Sequence, residues 1–145
     1  MDDGSRLIPD GIWTMYLIDT NICMYLITKR SESVRKRIEK EKPYQVAISA
    51  ISVAELEYGV AKSRHIEQNR TALRNFLSAF EIIPCDDRDA EQFGIIRTLL
   101  EKQGQPIGAY DLEIASQGLA RTMTVVTNNE NAFRRIPGLT VENWV

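Results

Sequence analysis

Four oxygen-bearing side chains occupy positions where a parallel α/β sheet carries out its chemistry. Each follows a predicted strand or falls near the start of the next helix: Asp19, Glu55, Asp111 and Asn129. In a doubly wound sheet these positions converge on one edge. Three carboxylates in one crevice repel each other unless a cation lies between them. Hard oxygen ligands suit Mg²⁺, with Mn²⁺ as a substitute, and such ions activate water for phosphoryl displacement.

Asp19 and Glu55 also have ordinary structural explanations. Asp19 ends the apolar run Met15–Ile18, the best strand candidate, and is equally suited to cap the helix that follows. Glu55 lies three residues after Ser52, which is the spacing of a capping box. Because Glu57 lies closer than Glu55 to the apolar stripe of this helix, the helical period does not decide between the two glutamates.

Asp111 and Asn129 have structural explanations too. Asp111 falls in the first turn of a predicted helix, where the helix dipole stabilises a carboxylate by about 0.3–1 kcal/mol. Asn128 and Asn129 follow the predicted strand that ends at Thr127, and amides at such places commonly hold a turn. The convergence of the four positions, rather than any one residue, therefore predicts a site.

The remaining residue types exclude several classes of enzyme. The sequence has one histidine, His65, and two cysteines far apart, Cys23 and Cys85. A paired-histidine nuclease is therefore excluded, and a zinc site is disfavoured because neither cysteine has a Cys-x-x-Cys partner or a neighbouring histidine. A serine-triad hydrolase would have to use His65, and the sequence has no Gly-x-Ser-x-Gly elbow. Isolated cysteines are typical of proteins in a reducing compartment, so we expect a cytoplasmic protein.

The charge of the chain limits how it can bind a polyanion. A net charge of −2 gives no overall attraction for nucleic acid, so binding must depend on local basic groups and on metal ions. Basic clusters occur at Lys29–Arg30, Arg35–Arg37, Lys62 with Arg64, and Arg134–Arg135. Most such clusters are solvated helix faces, so by themselves they are weak indications of phosphate contacts.

Strands and helices are predicted to alternate, which implies βαβ units, right-handed crossovers and a parallel sheet. The predicted strands cover residues 15–18, 44–48, 81–83, 123–127 and 139–142. Helices are expected between them, with Asn21, Ser52 and Asp86 as caps. These elements are what must bring the four polar side chains to one edge.

Residues 15–145 are predicted to form one domain, because 145 residues with 43% apolar content suit a single core. Residues 1–14 lack the apolar centre of a signal peptide and are interpreted as a loose leader. Met15, just before the first strand, is a candidate for the natural start. No stretch of the sequence is apolar and long enough to span a bilayer.

Four ordered motifs and a closing segment resemble those of PIN-domain ribonucleases, most closely the VapC toxins of bacterial toxin–antitoxin pairs. They are Met15–Asn21, Ser52–Gly59, Gly108–Ala115, Val126–Phe133 and the closing Pro137–Trp144. The resemblance covers residues 15–145. It implies a PIN-like three-layer α/β/α fold with a five-stranded parallel sheet.

The resemblance also assigns the site. It implies that Asp19 and Asp111 bind Mg²⁺, and that Glu55 rather than Glu57 is the third acid. The fourth catalytic position falls on Asn129. Similar proteins are metal-dependent endoribonucleases that cut structured RNA, often transfer RNA.

Partners are implied in the same way. Similar proteins are held inactive by a cognate VapB-like antitoxin whose tail enters the active-site groove, and they usually form homodimers. We further expect Thr20 and Asn21 to support Asp19, and the basic clusters 35–37 and 134–135 to contact the RNA backbone.

The sequence departs from the family pattern at three positions. Ala132 takes a place where relatives often carry an acid, Asn129 is an amide, and Gln117 stands where histidine is common. These departures leave open the number of metal ions, and they leave a PIN-fold module that binds RNA or antitoxin with weakened catalysis as the alternative. A phosphoacceptor receiver domain is a distant third, because the third strand ends without an acceptor aspartate and no lysine follows Lys102.

Overall fold

A computed structural model describes residues 14–145 of the chain. Apart from Thr14, the predicted leader therefore lies outside the described residues. Within residues 14–145 five parallel strands form one sheet in the order β3-β2-β1-β4-β5. They are β1 Tyr16–Ile18, β2 Val46–Ser49, β3 Glu81–Ile83, β4 Thr124–Val126 and β5 Val141–Glu142. The predicted five-stranded parallel sheet is confirmed.

Seven helices connect and flank these strands in the described part of the chain. They are α1 Thr20–Thr28, α2 Glu32–Glu39, α3 Ala50–Ala61, α4 Ile66–Leu77, α5 Asp87–Lys102, α6 Ala109–Ala120 and α7 Glu130–Phe133. A short 3-10 turn, Pro43–Gln45, precedes β2, so this strand begins at Val46 rather than at the predicted Tyr44. Within residues 14–145 none of the helices has the length and apolar character needed to cross a membrane.

The sheet separates two hydrophobic cores, which produces the three layers. Successive residues of a strand point to opposite faces, so Leu17 packs in one core while Tyr16 and Ile18 pack in the other. The core around Leu17 includes Ile96 of α5 and Ile114 of α6. The second core is formed with buried side chains from α1, α2, α3 and α4.

The order of the strands reverses beside β1, the central strand. β1 pairs with β2 on one side and with β4 on the other, and the chain completes β2 and β3 before it crosses to β4. Open α/β sheets bind ligands at such a switch point, in the crevice outside the carboxyl ends of the strands. Asp19 follows β1 there, and Thr127–Asn129 follow β4.

Candidate active site

Asp19 lies at the switch point, directly after β1, and is 3% exposed. Its backbone N–H donates to the Val126 carbonyl oxygen of β4 at 3.0 Å, which continues the pairing of the two strands. Its Oδ1 accepts from the backbone N–H of Ile22 at 3.0 Å, so Asp19 caps α1 and the prediction of Asn21 as the cap was wrong. Its Oδ2 accepts from the Thr127 hydroxyl at 2.5 Å.

Burial raises the pKa of Asp19 from 3.8 to about 6. Hydrogen bonds from Thr127 and Ile22 lower this pKa, whereas the negative charges of Asp111 and Glu55 raise it. The ionised form of Asp19 is therefore costly in the protein by itself, and a cation placed beside it would remove that cost.

Glu55 projects from α3 toward the start of α1. The Thr20 hydroxyl lies 2.6 Å from Glu55 Oε1 and 2.9 Å from Ser52 Oγ. The cap of α3 is Ser49, whose side chain accepts from the Ile51 N–H at 3.0 Å, so the predicted Ser52 capping box was wrong. Because β2 runs directly into α3, the helix begins before Ser52, and the Ser52 hydroxyl is available to contact Thr20.

Asp111 and Asn129 meet across the same crevice. Asp111 is in the first turn of α6, and Asn129 immediately precedes α7. The Asn129 side-chain Nδ2 donates to Asp111 Oδ2 at 3.1 Å. Since the charges of Asp111 and Glu55 both act on Asp19, the structure brings all four predicted residues to one edge of the sheet. Their catalytic role stays a prediction.

Thr127 is a site residue that the sequence did not indicate. It is fully buried, donates to Asp19, and accepts from the backbone N–H of Asn129 at 2.9 Å. It therefore connects Asp19 to the loop that carries Asn129. The predicted support from Thr20 and Asn21 is wrong, since Thr20 contacts Glu55 and Asn21 is exposed. One feature of the sequence could have indicated Thr127, namely its position as the polar residue that ends a buried apolar strand.

The oxygen donors at this edge fit a hard divalent cation with few protein ligands. Within residues 14–145 no group of three histidine, cysteine, aspartate or glutamate side chains is arranged to enclose a metal ion. Mg²⁺ ordinarily takes one or two carboxylates and keeps several of its waters, so a closed cage is not required. The carboxylates at this edge, Asp19, Glu55 and Asp111, would be the residues to hold such an ion.

Comparison with known proteins identifies the family. The PIN-domain family matches residues 16–139, which is most of the chain. The chain belongs to the PIN-domain family. Its relatives include Ribonuclease VapC2 of Rickettsia felis, 47% identical over 90% of this chain and 98% of the relative. They also include the tRNA(fMet)-specific endonuclease VapC of Salmonella typhimurium, 37% identical over 89% and 97%.

Solved structures agree with this assignment. The crystal structure of VapBC2 from Rickettsia felis bound to a promoter DNA fragment contains a chain 43% identical to this one. The two superimpose with a TM-score of 0.84, covering 91% of this chain and 100% of the other. The predicted resemblance to PIN domains of the VapC group is confirmed.

In this PIN domain the fourth motif, Val126–Phe133, contributes the side-chain amide of Asn129 to the acidic edge. Its one carboxylate, Glu130, contacts other residues instead. Ala132 is buried in the core. Glu130 accepts from Arg134 and from Asn143, both at 3.0 Å, and so faces the carboxyl-terminal segment. Gln117, where relatives often carry histidine, is fully buried in α6.

Proposed function

We propose that this chain is a Mg²⁺-dependent endoribonuclease that cuts structured RNA, and that it is the toxin of a toxin–antitoxin pair acting in the cytoplasm. One observation carries the proposal: a buried carboxylate, Asp19, is held between fixed donors while two further carboxylates act on it. The proposal is supported by relatives named as a ribonuclease and as a tRNA(fMet)-specific endonuclease, each matched over nearly its whole length.

In this proposal Asp19 and Asp111 hold Mg²⁺, or Mn²⁺ in its place, and Glu55 completes the site directly or through water. When bound, the cation activates water and stabilises the charge that develops on the phosphate. Thr127 and the amino end of α1 fix the two oxygens of Asp19, so that the carboxylate is already oriented. Asn129 fixes one oxygen of Asp111.

The reaction is a hydrolysis of one RNA phosphodiester bond. The oxygen of a water molecule forms a bond to phosphorus, and the bond between phosphorus and the 3′ oxygen breaks. The leaving oxygen takes up a proton and becomes a 3′-hydroxyl, and the other product carries a 5′-phosphate. These ends distinguish the proposed reaction from attack by the 2′-hydroxyl of the RNA, which would leave a cyclic phosphate.

The proposed protein partner is a VapB-like antitoxin. Support comes from the similarity to the VapBC2 structure of Rickettsia felis. An apolar groove of about 420 Å³ begins at Thr20 and Glu55 and extends between α1, α3 and α4, where Met24, Ile27 and Leu73 line it. A segment seated there would lie directly beside the acidic edge.

Paired glutamate variants test the proposal. Wild type, Glu55→Gln and Glu57→Gln are incubated with tRNA(fMet), with Mg²⁺ or with EDTA, and the product ends are sequenced. We expect wild type and Glu57→Gln to cut only with Mg²⁺ and to leave 5′-phosphates, and Glu55→Gln to be slower by at least about tenfold. Cyclic phosphate ends, or equal rates for the two variants, would contradict the assignment of Glu55.

The alternative is a PIN-fold module that binds RNA or antitoxin with little catalysis. It is favoured by one observation, the engagement of Glu130 with Arg134 and Asn143, which leaves the fourth motif without an acid at the crevice. Calorimetric titration with Mn²⁺ separates the two functions. Binding that is lost in Asp111→Asn supports the nuclease, and absence of binding supports the module.

A further inference from the structure

A polar groove, separate from the apolar groove between α1, α3 and α4, includes the residue that follows Asn129. It has a volume of about 840 Å³ and runs between α2 and the carboxyl-terminal segment. Four basic side chains line it, together with two acids: Lys36, Arg37, Lys40, Arg134, Glu130 and Glu142. Its rim begins at Glu130, the residue after Asn129, and Asn143 bridges the groove to Asn128 at 3.2 Å.

The side chains that line the groove include four positive and two negative charges. Glu130 is paired with Arg134 at 3.0 Å. Glu142 accepts from the Trp144 indole N–H at 2.9 Å and lies 3.6 Å from Arg37. Both acids are therefore already engaged.

The acids in and just after α2 form ion pairs with arginines of the same segment. Arg35 pairs with Glu32 and Glu39, and Arg37 pairs with Glu41. Of the basic residues in this segment, Lys36 and Lys40 are exposed and line the groove.

The arrangement of Lys36 and Lys40 is unfavourable for the helix by itself. They are four residues apart and so lie on one helix face, where like charges repel. The helix dipole favours basic residues near the end of α2, which accounts for their position along the helix. It does not account for both of them facing a groove whose opposite wall carries Arg134.

We infer that this groove binds the RNA phosphate backbone beside the scissile bond, with Lys36 and Lys40 as the phosphate contacts. The inference rests on the proposed ribonuclease function and names a surface for its substrate. The groove includes Glu130, which follows Asn129 in the chain, and Asn129 contacts Asp111, so a strand that leaves the crevice past Asn129 reaches the groove. The carboxylates repel phosphates in the absence of a cation, and the lysines supply the local attraction that a net charge of −2 does not.

The basic residues that line the groove differ from the two clusters, 35–37 and 134–135, that the sequence predicted as RNA contacts. Arg35 is held by Glu32 and Glu39, and Arg135 donates to the Pro106 carbonyl oxygen at 3.1 Å. Neither lines the groove, whereas Lys40, outside both predicted clusters, does. Sequence position alone could not show which basic groups are already paired.

The test compares two charge-matched double variants in an Asp19→Asn background that does not cleave. Lys36→Gln/Lys40→Gln removes the two groove lysines. Lys62→Gln/Lys102→Gln removes two exposed lysines that do not line it. Affinity for tRNA(fMet) is measured in EDTA over a range of KCl concentrations. Lys36→Arg/Lys40→Arg is the rescue variant, and thermal unfolding verifies the fold.

We expect the groove variant to bind about tenfold more weakly at low salt, because two phosphate contacts are lost. The slope of log affinity against log salt should decrease by about 1.5, since each contact contributes about 0.7–0.9. The control should stay within about twofold of the parent, and the arginine variant should restore binding. In the active protein the groove variant should raise KM with kcat unchanged.

Two results would overturn the inference. One is an equal effect of the groove variant and the control, or no effect of either. The other is an unchanged RNA slope with lost affinity for an oligoglutamate peptide, which would make the groove a surface for an acidic protein. Failure of the proposed function is separate, because the otherwise unmodified protein would then cut no structured RNA at all.

Discussion

At the scale of single residues, Asp19 combines structural and chemical roles that conflict. It caps α1 and accepts from Thr127, but it does so as a buried carboxylate near two other acids. Its pKa of about 6 means that the folded protein without a cation is less stable when Asp19 is ionised. A cation beside Asp19, as proposed above, would remove this loss of stability.

The first prediction concerns the stability of Asp19→Asn in EDTA. Asparagine keeps the oxygen that caps α1 but carries no charge. The wild type should lose stability as the pH rises through about 4 to 6, because its folded form binds the proton more tightly than the unfolded chain. The variant should therefore be more stable by up to about 3 kcal/mol at pH 7.5, with a smaller difference at pH 4.5. Thermal unfolding measures both values.

Comparing the two proteins at each pH cancels the titration of every other group. Loss of the oxygen that accepts from Thr127 adds a destabilisation that does not depend on pH. A stability difference between the two proteins that is the same at pH 4.5 and pH 7.5 would therefore show that the pKa of Asp19 is not raised in the folded protein. Saturating Mg²⁺ should reduce the difference, because a ligand that binds only the folded wild type stabilises it.

The second prediction concerns the hydroxyl of Thr127. Thr127→Val keeps the shape of the side chain but removes the donor to Asp19 and the acceptor for Asn129. Affinity for Mn²⁺ should fall by about 10–100-fold, the usual effect of losing a group that orients a metal ligand. Thr127→Ser keeps the hydroxyl and should retain most of the affinity. Calorimetry that finds the two variants equal would remove Thr127 from the site.

Three of the site residues could be selected from the sequence, since Asp19, Asp111 and Asn129 each follow a strand or begin a helix. Glu55 lies in the second turn of α3 and was assigned through the family resemblance. Thr127 also follows a strand, but its bond to Asp19, 108 positions away, depends on the pairing of β1 with β4.

At the scale of elements, α6 packs tightly against β4 in the layer on one face of the sheet. A Cβ atom added to Gly118 of α6 would lie 2.5 Å from Val125 Cγ2 and 3.4 Å from Leu139 Cδ1. Val125 is fully buried in the central part of the sheet and is stiff at χ1. The glycine therefore lets α6, which carries Asp111, pack directly on the strand that precedes Thr127.

The third prediction compares two glycines in helices. Gly118→Ala should destabilise the protein by about 1–3 kcal/mol, because the added methyl group overpacks the contact with Val125. Gly94 lies inside α5, and a Cβ atom added there would meet nothing within 4 Å, so Gly94→Ala should stabilise by about 0.5–1 kcal/mol. Urea unfolding of both variants tests the difference in sign. Similar effects of the two substitutions would contradict close packing of α6 on β4.

The elements themselves were largely predictable, but their exact ends were not. Buried apolar runs located all five strands, and the helices expected between them are present in the described part of the chain. The caps of α1 and α3 were misplaced because β1 and β2 pass into these helices with almost no loop. The last strand residue or its successor then acts as the cap, and in α3 the predicted cap Ser52 contacts Thr20 of α1 instead.

At the scale of the whole molecule, the chain has little net charge but separates its charges in space. Acids collect at the switch point, and exposed lysines collect in the adjacent groove.

The fourth prediction concerns assembly. From the family resemblance we expect a homodimer, as twofold assembly is the commonest among oligomers. Light scattering of the purified protein should give twice the 16.5 kDa of one chain, and 16.5 kDa itself would contradict it.

The proposed function requires the acids at the switch point for RNA cleavage. It is tested by cleavage of total transfer RNA in Mg²⁺ by wild type, Asp19→Asn and Asp87→Asn, an exposed acid in the first turn of α5. We expect cleavage by wild type and Asp87→Asn, and none by the equally folded Asp19→Asn. Equal cleavage by wild type and Asp19→Asn would show that the acids at the switch point do not carry the reaction.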